Sequence, residues 1–307
     1  MNLAERRIMR EDSFLNNLMP IKSDKNMPFT VSHTVAVIPL YKYLGKFGAL
    51  SALIIGSMTP DFAYMTPYLV DQRMDSHSLV GIYLYAIPMG LTVYFLYHFL
   101  MAPVLVSLLP QFIKKYLHRD LFLGKIPNIP SYTLVFSLII GALTHIIWDF
   151  FTHQTGIPQY IPWMDVPLTA IDGYNIMPYR VLQHFSSLFG LSLLLFWVWR
   201  WIALKKHNGN NDNKDTLENN LITPNWKASK KLIILSLLTI LISSAIFGTI
   251  NGAANMTGDT VMYGLYDAQL FVRYGIVGAA GAFIITSALL GIIYQVQIHR
   301  FNRNHTD

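Results

Sequence analysis

The sequence predicts an all-α, polytopic membrane helical bundle with five clear transmembrane helices and one ambiguous, or re-entrant, N-terminal segment. Three observations predict it. Of 307 residues, 53% are hydrophobic and only 13% charged, where a soluble domain carries about 25% charged residues. Mean hydropathy is +0.38. Apolar runs as long as the ~20 residues needed to cross a bilayer recur along the chain. The net charge of +6 gathers beside those runs, which is topology information and no nucleic-acid footprint. There is no cysteine, so disulfides and thiolate metal sites are excluded and any metal must be held by His, carboxylate or backbone groups.

Residues 1–26 form a polar, basic N-terminal extension without the apolar core of a cleaved signal peptide. They read as a loose cytoplasmic extension or as a translated stretch ahead of a start at Met27. In the following MPFTVSH, Thr30 or Ser32 is placed to cap a helix from about Thr34. Residues 34–56 are long enough to span but carry Lys42, Lys46, Gly45 and Gly48, and a buried Lys costs roughly 2.5–3.5 kcal/mol. Two short re-entrant helices are therefore preferred to one crossing, an arrangement in which His33 joins the other polar residues at one end. Pro60 is expected to force Thr59 out of the α region and put Asp61 at a turn. The polar connection 71–78 leads to a long apolar helix from Leu79 to about Leu109, with a kink at Pro88 and a bend at Pro103.

The basic loop 110–130 reads as cytoplasmic. A helix over Ser131–Phe151 returns, and the sparsely charged loop 154–180 reads as extracytoplasmic. Another span, 182–204, leads to residues 205–231, whose HNGNNDNKDTLENN predicts a disordered cytoplasmic linker. Spans at 232–250 and 270–294 follow, with Gly278, Gly281 and Gly291 suggesting close helix packing. The chain thus divides into the extension 1–26, a metal-site domain 27–204, the linker 205–231, a C-terminal helix pair 232–298 and a basic tail 299–307. Positive-inside reasoning makes it a multi-pass protein of the cytoplasmic membrane with its C-terminus in the cytoplasm. Asp61, His77, His145, Asp149, His153 and His184 then share the extracytoplasmic end.

The stretch THIIWDFFTH, residues 144–153, carries the chemistry. On a helix His145, Asp149 and His153 stand at i, i+4 and i+8 on one face. At 1.5 Å per residue the outer two are roughly 12 Å apart. That spacing suits two ions bridged by one carboxylate better than one ion with three ligands. Ser78, Thr144, Thr152 and Ser186 neighbour the candidate ligands and are positioned to orient imidazoles or carboxylates. The remaining polar residues take plainer roles. His98 and His118 are expected at the membrane interface, and His207, His299 and His305 in solvent. Trp148 and Trp163 are expected at the headgroup belt, Arg180 as a surface anchor, and Asp165 and Asp172 facing water.

MPFTVSH, GSMTPDF, DSHSL, GALTHIIWDFFTH and LQHFSSLFGL, in that order over about 27–201, resemble the DUF4184 family of bacterial membrane proteins. That family is similar to membrane-bound metal-dependent hydrolases of the DUF457 type, and more distantly to the all-helical zinc-dependent phospholipase C and P1-nuclease fold. The resemblance implies that Asp61, His77, His145 and Asp149 hold one ion, with Asp149 bridging. It gives His153 and His184 a second ion and His33 a further or shared site, one to three divalent ions in all, zinc foremost. Asp61 and Asp149 become the catalytic carboxylates, Asp61 as ligand or as the base orienting water. This chain departs from the soluble enzymes at Leu188, where they place a carboxylate, and offers no N-terminal amine as a ligand. The activity implied is hydrolysis of a phosphoester, a lipid headgroup or lipid-linked substrate at the outer face. A transport or proton-relay protein, or a non-catalytic membrane protein with a structural metal, are the alternatives.

Overall fold

A computed structural model describes residues 30–65, 76–109, 129–171, 174–208, 230–254 and 264–303. Among the described residues, five helices are long and apolar enough to cross a membrane: Leu79–Leu108, Ser131–Tyr160, Pro178–Leu204, Ile234–Ala254 and Leu270–Gln297. The protein is an all-α membrane bundle. The extension 1–26, the loop 110–128, the linker between 209 and 229, Asp172, His118 and His305 lie outside the described residues.

Residues 34–56 resolve into two short helices. A 3₁₀ turn, Thr30–His33, runs into α1, Thr34–Leu44; α2 is Leu50–Met58. Gly45 makes the reversal between them with φ 53°, a left-handed conformation costly to any residue with a Cβ. His33 precedes α1 without a side-chain cap, and Thr30 instead donates to Asp61 Oδ2 at 2.7 Å. The expectation at Thr59 also needs correcting. It stays α-like at φ −60°, ψ −38°, and its hydroxyl donates to Ile55 O at 2.6 Å. The chain continues as a 3₁₀ turn, Thr59–Asp61. Pro60 sits where its missing N–H is not needed.

The third helix, α3, spans Leu79–Leu108. Its prolines are absorbed by widened π turns just before them, Ile82–Ala86 ahead of Pro88 and Tyr97–Met101 ahead of Pro103. A widened turn re-routes the carbonyls that a proline leaves without a donor. His98, expected at the interface, is fully buried, with Nε2 3.0 Å from Ser51 Oγ. Helix α4 is Ser131–Thr152. It is followed by 3₁₀ turns at Ile157–Tyr160 and Pro162–Asp165 and a small antiparallel hairpin, β1 Thr169–Ile171 with β2 Tyr174–Ile176. Helix α5 is Pro178–Asn208, four residues past the expected close of its span. The last two, α6 Lys230–Ala254 and α7 Gly264–Arg303, pack along each other. Gly291 of α7 meets the Leu100 backbone of α3, and Gly278 meets Phe247 O of α6, whereas Gly281 has open space around it.

The crossing of α2 and α4 positions the site. Gly56 faces the Leu138 carbonyl and Gly141 faces the Leu53 carbonyl, so closely that a methyl group at either would collide with backbone. Small residues on both partners let the two backbones touch, the way membrane helices gain contact where lipid gives no hydrophobic drive. Ser137 Oγ of α4 also accepts from the Ala49 N–H at the start of α2, at 2.9 Å. One turn above Gly141 stands His145. One residue beyond Gly56 is Ser57, whose carbonyl meets that imidazole.

Candidate metal centre

Asp61, His77, His145 and Asp149 each bring one ligand atom into a group whose members all lie within 4.8 Å of one another. His145 and Asp149 come from α4, Asp61 from the turn after α2, and His77 from the connection leading into α3. His145 Nε2 is 3.2 Å from Asp149 Oδ2 and 3.5 Å from Asp61 Oδ1. His77 Nε2 is 3.4 Å from Asp61 Oδ1 and 3.5 Å from Asp149 Oδ2. The two Nε2 atoms are 3.3 Å apart. Four ligand atoms at about 2.0–2.2 Å from one ion in tetrahedral array would stand about 3.3–3.6 Å from one another.

The imidazoles are aimed from behind. His145 Nδ1 lies 2.7 Å from Ser57 O, and a carbonyl can only accept, so Nδ1 carries the proton and Nε2 presents a lone pair. That lone pair faces two carboxylates and a second imidazole, and the contact is repulsive unless a proton or a cation sits between them. His77 Nδ1 lies 3.1 Å from Ser76 Oγ. Each ring therefore has one nitrogen tied to the protein and the other turned inward, the outer-shell pattern of metal-binding histidines. Thr30 does the same for Asp61: its hydroxyl occupies Oδ2 and leaves Oδ1 to the group. When a proton rather than an ion sits between them, the imidazoles of His145 and His77 outweigh the upward push of burial and hold the Asp61 carboxyl well below the usual carboxylate range.

Asp149 faces two ways. Its Oδ1 is buried without a hydrogen bond, 3.3 Å from His153 Nδ1 and 3.7 Å from His33 Nε2. His33 is fully buried, with neither ring nitrogen hydrogen-bonded among the described residues. It stacks on His145 with centroids 4.2 Å apart and meets Trp148 edge-on at 5.8 Å. Trp148, expected at the headgroup belt, thus borders the site, while Trp163 is 60% exposed. Burial, then the neighbouring His145, hold the His33 imidazole down at about 4, so it is neutral at pH 7. The expected i, i+4, i+8 row runs off the end of α4, because His153 is its extended C-cap, and the two histidines divide between the oxygens of Asp149, His145 at one and His153 at the other.

The structure does not bring His184 to this group. The inward stripe of α5 is Arg180, Gln183, Ser187 and Gly190, all buried, and Gly190 packs on the Ser32 backbone. His184 lies a residue off that stripe and is exposed. Arg180, expected as a surface anchor, is buried on that stripe. Of the expected orienting hydroxyls, Thr152 Oγ1 reaches His153 Nδ1 at 3.2 Å, and Ser78 caps α3 by accepting from Gly81 N. Thr144 and Ser186 bond the carbonyls of their own helices, Gly141 and Gln183. The supports that do the orienting are Thr30, Ser57 and Ser76. Ser76 adjoins its histidine in sequence, whereas the Thr30–Asp61 link spans 31 residues and has no local signal.

A family model described as "Domain of unknown function (DUF4184)" matches residues 27–294. No curated protein and no solved structure matches the chain, so the likeness to the DUF457-type hydrolases and to the phospholipase C and P1-nuclease fold gains no support there.

Proposed function

This chain belongs to the DUF4184 family, and on that footing we propose that it is a membrane-embedded, metal-dependent hydrolase of phosphoesters, with zinc as the ion and a lipid headgroup or lipid-linked compound as substrate. One observation carries the reading: two imidazole nitrogens and two carboxylate oxygens converge, with the five separations that involve a nitrogen at 3.2–3.5 Å and the whole group within 4.8 Å, close to the edge lengths of a tetrahedral ligand set. The donor set, nitrogen and oxygen without sulfur, fits a borderline divalent ion. A divalent ion held there supplies Lewis acidity and lowers the pKa of a coordinated water from about 15.7 to about 7.

The residues divide the remaining work. Asp61 and Asp149 balance the positive charge, and Ser57, Ser76 and Thr30 keep the donors aimed at one point. Asp149 Oδ1, buried and unbonded, is placed to orient a water or accept its proton, or to share a second cation with His33 and His153. The side chains of His77 and His153 are each 21% exposed, which gives a phosphoryl group an open edge. The products are the phosphorylated fragment and its alcohol, with one water consumed. By the positive-inside pattern this edge faces the extracytoplasmic side.

The same lone-pair clash at His145 also supports a proton-relay reading, in which a proton takes the place of the ion. The deciding experiment incubates purified, zinc-supplemented protein in mixed micelles with phosphatidylglycerol, phosphatidylethanolamine or phosphatidic acid and follows release of phosphate or phosphoalcohol. Turnover that is lost on chelation and in Asp149→Asn supports hydrolysis. Stoichiometric zinc without turnover of any of the three points to a structural metal, and a protein that binds no zinc points to the relay.

A further inference from the structure

Beside the metal centre lies a second, chemically different space. A cavity of about 520 Å³ runs between α2, α3 and α7, within the about 300–1,000 Å³ of small-molecule sites. At about 30 Å³ for a group the size of water, it admits on the order of seventeen methylene-sized groups, one fatty acyl chain. Its walls are almost wholly apolar, Tyr97, Met101 and Ala280 among them. Ile276, also on the wall, is 41% exposed, so the space reaches the surface that faces lipid. One wall residue breaks the pattern. Arg273 stands inside the apolar window Leu270–Gln297 of α7, its guanidinium 5.3 Å from the Tyr274 ring centroid and its Nε buried without a hydrogen bond among the described residues. As the fourth residue of that window it stands near the end of the span, at headgroup depth, where a guanidinium can meet a lipid phosphate. Thr30, which holds Asp61, and Phe62, its neighbour in sequence, close the end toward the metal centre.

We propose that this cavity binds one acyl chain of an anionic phospholipid, with the Arg273 guanidinium taking a phosphate oxygen. The apolar walls match the chain, and the guanidinium, with Nε free of hydrogen bonds among the described residues, matches the phosphate. Water would find almost no polar partners there. The proposal goes beyond the hydrolase reading and does not rest on it, because lipid retention is measured without turnover.

The test is native mass spectrometry of the full chain in detergent, delipidated and then titrated with dioleoylphosphatidylglycerol or with dioleoylglycerol, which has the same chains and no phosphate. The expected result is one phosphatidylglycerol per chain, held at least about tenfold more tightly than the diacylglycerol, the range of a hydrogen bond to a charged group. Arg273→Gln is expected to reduce the phospholipid to the diacylglycerol level. Ala280→Phe, which fills the cavity, is expected to weaken both lipids, with Val277→Phe standing in should that variant not fold. Equal binding of the two lipids by the wild type overturns the charge recognition, and binding unaffected by a folded cavity-filling variant overturns the location. Zinc content measured on the same samples keeps a failure here separate from a failure of the metal centre.

Discussion

Thr30→Val removes one oxygen and keeps the shape of the side chain. In the native protein that hydroxyl donates to Asp61 Oδ2 at 2.7 Å in a buried setting. A hydrogen bond to a charged group is worth about 1.5–3 kcal/mol, or about 10–100-fold in affinity, the same span seen when the outer partner of a metal ligand is removed. Zinc affinity is therefore expected to fall about 10–100-fold in Thr30→Val, read by competition against a fluorescent zinc chelator. Thr30→Ser keeps the donor and is expected to bind like the wild type. Zinc bound equally well by Thr30→Val, or as poorly by Thr30→Ser as by Thr30→Val, would refute the assignment of Thr30 as a support for Asp61.

Three further outcomes follow from the geometry. Gly141→Ala drives a methyl into the Leu53 carbonyl. Overpacking of this kind costs about 1–3 kcal/mol, so a lower melting temperature is expected together with weaker zinc binding, because the Ser57–His145 contact sits on the same crossing. His184→Ala is expected to leave zinc stoichiometry unchanged, since that side chain is exposed on α5; loss of an ion in this variant would contradict the placement. In metal-stripped protein, stability is expected to fall as pH drops from about 6.5 toward 4. Burial keeps the His33 imidazole near 4, so below 6.5 the unfolded chain takes the proton first, at a cost of about 1.4 kcal/mol per pH unit. A melting series from pH 7 to 5 should be shallower for His33→Gln, and an identical slope would contradict the burial of a neutral ring.

Much of this was legible because the membrane simplifies the pattern. The five spans followed from apolar length alone, and the lysines and glycines of 34–56 were enough to favour two short helices over one crossing. The ligands on α4 were visible because a charged residue four positions from a histidine is conspicuous in an apolar helix. Three things were not legible, each for a physical reason. The stripe of α5 that faces inward is fixed by Gly190 against Ser32, a long-range contact, and so the exposure of His184 could not be read from its neighbours. His98 is buried because Ser51, 47 residues away, receives its ring. The Gly56–Gly141 crossing depends on two glycines far apart in sequence whose backbones meet only after folding.

The most direct test of the metal centre is elemental analysis of the purified full chain, prepared without chelator, beside His145→Ala and Asp149→Ala. At least one equivalent of zinc in the wild type, lost in both variants while their helical content is retained, is the expected result. A wild type that is folded, metal-free and unable to take up added zinc would contradict it.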